Sequence, residues 1–317
     1  MELLIQHGDD LFAPIVEDGI TWTTERKGCP GELQFKVVKD NIINFEEGDA
    51  VRMKVNDSEV FYGFIFTKKR DKGQSISVTA YDQLRYFKNK DTYVYENKTA
   101  SEVVQMIAKD FRLQSGTMED TGFKIASRVE ENTSLFDMVQ NALDLTLQNK
   151  NEMYVLFDDF GKITLKNISS MQLDVLIDEE TGENFDYTSS IDGETYNKIK
   201  LTYDNDKTGT REVYVAQHGE NMNRWGILQH FDTLQEGENG QAKADALLEL
   251  YNVKTRSLSI KNAFGDIRVR GGVLLPVLLN LGDMKVQNMM LVEKCKHEFK
   301  ENQHTMTLTL RGGEFVV

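Results

Sequence analysis

The chain has 317 residues, with 37 Lys and Arg against 51 Asp and Glu, a formal net charge of −14 at pH 7. That balance excludes a basic groove for nucleic acid, because neutralising phosphates takes clustered Lys and Arg. The length predicts about two or three domains, and 40% hydrophobic with 28% charged residues is globular usage that rules out wholesale disorder.

The N-terminus, Met1-Glu-Leu-Leu-Ile-Gln-His7, lacks the basic start and small-residue cleavage site of a secretory signal. No apolar run approaches the ~20 residues that cross a bilayer. The expectation is a chain made and folded in a cytoplasm. Cys29 and Cys295 stand near opposite ends and form no CxxC spacing, so two free thiols are expected. Only three prolines occur, Pro14, Pro30 and Pro276, and no Pro-rich linker marks a boundary.

The first hundred residues read as β-structure. Val51, Met53 and Val55 alternate with Arg52 and Lys54, and Ile76, Val78 and Ala80 with Ser77 and Thr79, the period of a strand with one buried face. Asn56-Asp57-Ser58 and Asp71-Lys-Gly-Gln74 carry hairpin-turn chemistry. The run Phe61-Tyr-Gly-Phe-Ile-Phe66 between them is apolar on both faces and needs cover on both, from its own domain or from another subunit.

The pattern then becomes helical. Thr99-Ala-Ser-Glu102 is a capping box, and Val103, Ile107 and Phe111 follow at helical spacing. A second helix is predicted from Thr133 or Ser134, with Phe136, Val139, Leu143 and Leu147 as its stripe and Asn149-Lys-Asn151 as its end. Met153–Phe157 and Lys162–Leu165 flank Asp158-Asp-Phe-Gly161 as a hairpin. After the acidic stretch Asp178–Glu183, strands return: Ile199, Leu201 and Tyr203 alternate, and Val213 and Val215 follow a polar turn. A third helix is predicted over 241–253, with Ala244, Leu247, Leu248 and Tyr251 inward. Strands are predicted at Val273–Leu281, Met289–Lys294 and Thr305–Leu310.

One order of features occurs twice. Gly48-Asp49, a strand, Phe64–Lys68, a charged turn and Ser75–Ala80 find their counterparts in Gly282-Asp283, a strand, Leu291–Lys294, a charged turn and Thr305–Leu310. The fold class that follows is α+β, mainly β. Two tube-like β-barrel domains, 1–96 and 171–317, flank a small α+β domain at 97–170.

No motif carries catalysis. There is no GxSxG, no Walker sequence, no GxGxxG and no HExxH, since Glu301 stands where the second His belongs after His297-Glu298. The five histidines, His7, His218, His230, His297 and His304, are scattered and read as surface or boundary residues rather than ligands. Asp204, Asp206, Thr208 and Gly209 imitate a calcium loop, but Val215 occupies the position of its closing carboxylate. The acidic pairs Asp9/Asp10, Glu130/Glu131, Asp158/Asp159 and Glu179/Glu180 all sit in polar turn or loop contexts, with nothing to raise one pKa above the other. No cofactor, metal or catalytic residue is expected. Phe61, Tyr62, Phe64 and Phe66, or Trp22 and Trp225, could stack on sugars or bases, which leaves open a monomeric carbohydrate-binding β-protein, but inside strand patterns core or subunit packing is the commoner use of such residues. A deep acidic cleft would leave open a peptidoglycan-degrading enzyme.

Phe61-Tyr-Gly-Phe-Ile65, then Ser77-Val-Thr-Ala-Tyr-Asp-Gln-Leu-Arg-Tyr86, then Thr99-Ala-Ser-Glu-Val-Val104 resemble the XkdQ/YqbQ-like group of hub proteins from contractile phage tails, defective prophages and tail-derived bacteriocins. The resemblance is best over residues 45–115. It implies a non-enzymatic structural role in a virion or phage-like particle, assembled in the bacterial cytoplasm. Three copies would present six similar barrels in a ring that adapts the hexameric tail tube to the trimeric spike. The implied partners are the chain itself, the tail tube protein, the spike protein and other baseplate proteins, without stable nucleic-acid or membrane binding. Some hubs carry a fused cell-wall hydrolase, which the sequence after the final strand has no room for. Strands apolar on both faces supply the subunit-interface candidates: Phe61, Tyr62, Phe64, Phe66, Leu274, Leu278, Met289 and Met290. Each side chain so covered contributes roughly 1.5–3 kcal/mol before association costs. An acidic lumen would repel passing DNA.

Overall fold

The computed structural model describes residues 1–17, 19–39, 43–70, 72–182, 184–205, 209–234, 239–280 and 285–312. Gly282 and Asp283 of the repeat, Asp206 and Thr208 of the calcium-like turn, Glu183 of the acidic stretch, and Asp71 lie outside them. The chain is mainly β and divides into two compact units. The first contains Met1–Phe185 and Ser259–Leu310, the second Asp186–Leu258 and the residues from Arg311.

In the first unit, the strands Ala50–Val55, Ser58–Arg70 and Ser75–Tyr81 form an antiparallel meander. Asn56 and Asp57 make its first turn with φ of 48° and 65°, the left-handed pair that a two-residue hairpin requires and that Asn and Asp tolerate. Glu2–His7 extends the meander on one side, and Glu32–Val38 followed by Ile20–Glu25 on the other. The inward positions Ile5, Leu33, Val37, Val51, Met53, Ile65 and Val78 are all buried, as period-two alternation demands.

The helical part of this unit follows the predicted boundaries closely. The Ala100–Asp110 helix starts on a complete capping box: Thr99 Oγ1 accepts the Glu102 N–H at 3.3 Å, and Glu102 Oε2 accepts the Thr99 N–H at 2.8 Å. The Leu135–Lys150 helix is capped by Ser134 and ends at Asn151, whose φ of 55° stops it. Both helices pack on the strands Ser115–Met118, Tyr154–Asp158 and Ile163–Asn167, with Ile107, Met138, Leu156 and Leu165 in the shared core.

The repeat is inexact. The first copy has two strands between its Gly-Asp and its Ser/Thr-alternating strand, whereas the second has one continuous strand, Lys285–Lys300, before Gln303–Gly312. At 16 residues that strand reaches two partners: its beginning pairs with Leu274–Asn280 and its end with Ile20–Glu25. N- and C-terminal strands therefore join one sheet, running from Gln303–Gly312 through Lys285–Lys300 to Ile20–Glu25 and on to Asp10–Phe12. The segment that follows Asp10–Phe12 returns to this sheet: Val16 bridges Val37 antiparallel, the Glu17 N–H donates to the Lys36 carbonyl and the Val38 N–H to the Ile15 carbonyl, each at 2.8 Å.

The second unit has its own small core. Lys198–Asn205 is the middle strand, antiparallel to Thr210–Gln217 and parallel to Gln229–Thr233. The Gly240–Tyr251 helix lies on one face of this sheet and buries Ile199, Leu201, Ala216, Ala244 and Leu247. A short helix at Gly219–Trp225, which carries no buried residue and no apolar stripe, is new relative to the sequence prediction.

Candidate functional site

Chemistry-bearing side chains of the first unit meet in a buried polar knot. Asp82 caps the 3-10 turn Gln83–Lys88: its Oδ1 accepts the Leu84 N–H at 3.0 Å and its Oδ2 the Gly31 N–H at 2.8 Å. A Cβ at residue 31 would collide with that carboxylate, so the close approach requires glycine. Asp158 Oδ1 accepts the Gly161 N–H at 2.6 Å, and the Gln83 side-chain amide bonds the Gly161 carbonyl. Arg270 reaches in from the C-terminal part of the unit. Its Nη1 donates to the Asp158 carbonyl at 3.1 Å, and its guanidinium lies 4.2 Å from the centre of the Phe157 ring. Burial, reinforced by the neighbouring Asp158, holds the Asp82 carboxyl well above its usual range, and burial pushes Asp158 up to about 6.

These facts correct the expectation that Asp158/Asp159 is a solvated pair with nothing to raise a pKa. Asp158 is buried because the turn it opens folds back under Gln83 and Tyr62. Glu130 is also buried rather than solvated, with Arg128 at 2.6 Å and Asn141 as partners. The arrangement joins three distant segments through hydrogen bonds, and each carboxylate is occupied by backbone N–H groups rather than aimed into a cleft. That is the geometry of a fastening between segments.

His297 also departs from expectation, being fully buried rather than at the surface. It stacks on Trp22 at 4.8 Å and approaches His304 Nε2 through Nδ1 at 2.9 Å. Its Nε2 lies 2.8 Å from the Val269 carbonyl and 3.1 Å from Cys295 Sγ. Burial pushes its pKa down to about 4, which keeps the ring neutral. Trp22 itself is core, the commoner use of an aromatic in a strand pattern. Both cysteines are free thiols. Among the described residues, no group of three or more His, Cys, Asp or Glu side chains is placed to hold a metal ion, and no helix is long and apolar enough to cross a membrane.

The strand that is apolar on both faces finds its second cover within its own unit. Phe61 and Ile65 face the core. Tyr62 packs on Phe160 at 5.9 Å and against Gly161, where an added Cβ would stand 2.6 Å from the Tyr62 ring. Phe64 and Phe66 meet Tyr86 at 6.4 and 6.2 Å, and Arg85 lies over Phe66 at 5.2 Å. Leu274 and Met290 are also buried by this chain. Of the eight interface candidates, Tyr62, Phe64, Phe66 and Met289 keep part of their surface and Leu278 is 47% exposed.

Sequence reasoning missed Asp82 and Arg270. Asp82 had a local signal: it follows an alternating strand and precedes Leu84 and Phe87 at turn spacing, the place of a cap. Arg270, in an irregular segment before Gly271-Gly272, had none.

Over its length the chain is similar to proteins of phage tails. The phage-like element PBSX protein XkdQ of Bacillus subtilis (strain 168) is 29% identical over 314 residues, covering 95% of this chain and 94% of the relative. The crystal structure of the 43 kDa tail protein of prophage MuSo2 from Shewanella oneidensis superposes with a TM-score of 0.70 at 13% identity, over 98% of each chain. The E. coli c3393 protein, a type VI secretion component described as structurally similar to T4 tail proteins gp27 and gp5, matches with a TM-score of 0.60 at 11% identity, over 99% of this chain and 78% of that one. The profile of the YQBQ-like family matches residues 20–311, and the chain belongs to the YQBQ-like family.

Proposed function

We propose that this chain is a structural component of a phage-like tail baseplate, and that three copies form a ring joining the tail tube to the central spike. The observation that carries this reading is the end-to-end likeness to tail proteins. The likeness of the E. coli relative to T4 tail proteins supports a place at the junction of tube and spike. In the finer form of the proposal, two related β-barrels at 1–96 and 171–317 flank the α+β domain at 97–170, so that three chains offer six similar faces. Three copies close as a cyclic ring through heterologous contacts. Leu278, Met289 and the half-buried row Tyr62, Phe64 and Phe66 are the candidate contact residues. The chain acts as scaffold and not as enzyme, consistent with a buried polar knot that fastens segments together.

Deleting the gene in the producing strain and imaging the particles tests this reading. Tails that lack the spike, or no tails at all, are expected, with mass spectrometry of purified particles giving three copies per tail. Intact, spiked tails without the protein would overturn it. A turbidity assay on purified peptidoglycan, expected to be flat, separates the scaffold from a wall-degrading enzyme.

A further inference from the structure

The sheet of the second unit has two unlike faces. The Gly240–Tyr251 helix covers the face that carries Ile199, Leu201 and Ala216. On the other face, register places Val215, Lys200 and Phe231 in one row across the three strands, and Val213, Thr202 and Thr233 in the next. Val213, Val215 and Phe231 are 50%, 41% and 55% exposed. Val213 and Val215 are successive outward residues of one edge strand, and Phe231 stands outward on the other with Lys200 between them, so three exposed apolar side chains share one face around a lysine.

Two further observations say what covers it. Lys198 and Lys200 stand on that same face, and among the described residues neither has a carboxylate within ion-pair distance. In a chain of net charge −14 this is a cationic and apolar island, complementary to a surface that carries acids. Among the described residues, the outer edges of Thr210–Gln217 and Gln229–Thr233 are also unpaired, and open edges invite a neighbouring backbone. We infer that the outer face of this sheet, Val213, Val215 and Phe231 framed by Lys198 and Lys200, is where a second copy of this chain docks an acidic surface. The inference rests on the proposed ring, in which each copy uses one face to receive its neighbour and another to enter the next.

The test places a photo-crosslinking residue at the exposed position, Phe231→p-benzoylphenylalanine, in the full chain within particle-producing cells, and irradiates purified tails. The expected product has twice the chain's mass, with this protein identified on both sides of the link at an acidic segment. Adding Lys200→Glu should lower its yield at least about tenfold, because it sets like charges opposite each other. An unchanged melting curve of the purified variant checks that the substitution left the fold intact. If the chain is present in tails but Phe231 links to a different protein or to nothing, the inference falls while the tail reading stands. If the chain is absent from purified tails, both fall.

Discussion

Each unit lays helix on a three-stranded sheet, and the two sheets differ in how many faces the chain covers. In the first unit Tyr154–Asp158 is buried at all five positions, with helices on one side and the polar knot on the other. In the second, Thr210–Gln217 has a single buried residue, Ala216. A strand buried throughout is complete as it stands, whereas one buried at alternate positions is complete only if its second face meets water or a partner. The first sheet turns Val155 and Phe157 away from its helices, and Gly272 and the Arg270 guanidinium cover them. The second has valine and phenylalanine facing outward, and that contrast is what directs attention to it.

The comparison breaks most readily in the core of the first unit. Leu165→Ala removes a fully buried side chain among closely packed neighbours and should cost roughly 3–5 kcal/mol in urea unfolding. Arg270→Met should cost about 3 kcal/mol, since it leaves Asp82 and Asp158 buried beside each other without a cation while Arg270 itself keeps some solvent contact. A loss below 1 kcal/mol would mean that the knot does not fasten its three segments.

The pH dependence sharpens the same point. Asp158, held up at about 6, keeps in the folded state a proton that the unfolded chain loses near pH 4. Its contribution is full below about pH 4 and lost as the pH rises through 6. His297, pushed down to about 4, contributes fully above about pH 6.5 and loses that contribution as the pH falls through 4. The two oppose each other between those limits. Asp158→Asn should therefore make stability fall more steeply on acidification from pH 6.5 to 4 than in the wild type, read from urea midpoints at several pH values; an unchanged profile would refute the assignment.

Smaller effects separate local from tertiary support. Thr99→Ala removes the capping box and should cost about 1 kcal/mol by the same measurement. Val213→Ala, on the open face of the second unit, should change the stability of the isolated chain by no more than about 0.5 kcal/mol. A large loss there would show that the valine already has a partner within the chain.

Much of the local structure was legible. Thr99 and Glu102 named their helix, Asn56-Asp57 named its hairpin, and alternation placed Lys198–Asn205 and Gln303–Gly312. Two features misled. Acidic character suggested solvent for Asp158, although burial there depends on Gln83 and Tyr62, more than seventy residues earlier. The isolated positions of the histidines suggested the surface for His297, although its stacking partner Trp22 comes from the opposite end of the chain. The Gly219–Trp225 helix had no periodicity to betray it.

What the sequence determined by itself is the set of elements and their ends, because caps, turns and alternation act between residues a few positions apart. The tertiary structure alone decided that Ile20–Glu25 pairs with the far end of Lys285–Lys300, that Asp82, Asp158 and Arg270 share one buried site, and that Val213, Val215 and Phe231 remain uncovered. Those outcomes depend on which surfaces meet across hundreds of residues, and burial belongs to the meeting of surfaces rather than to any one segment.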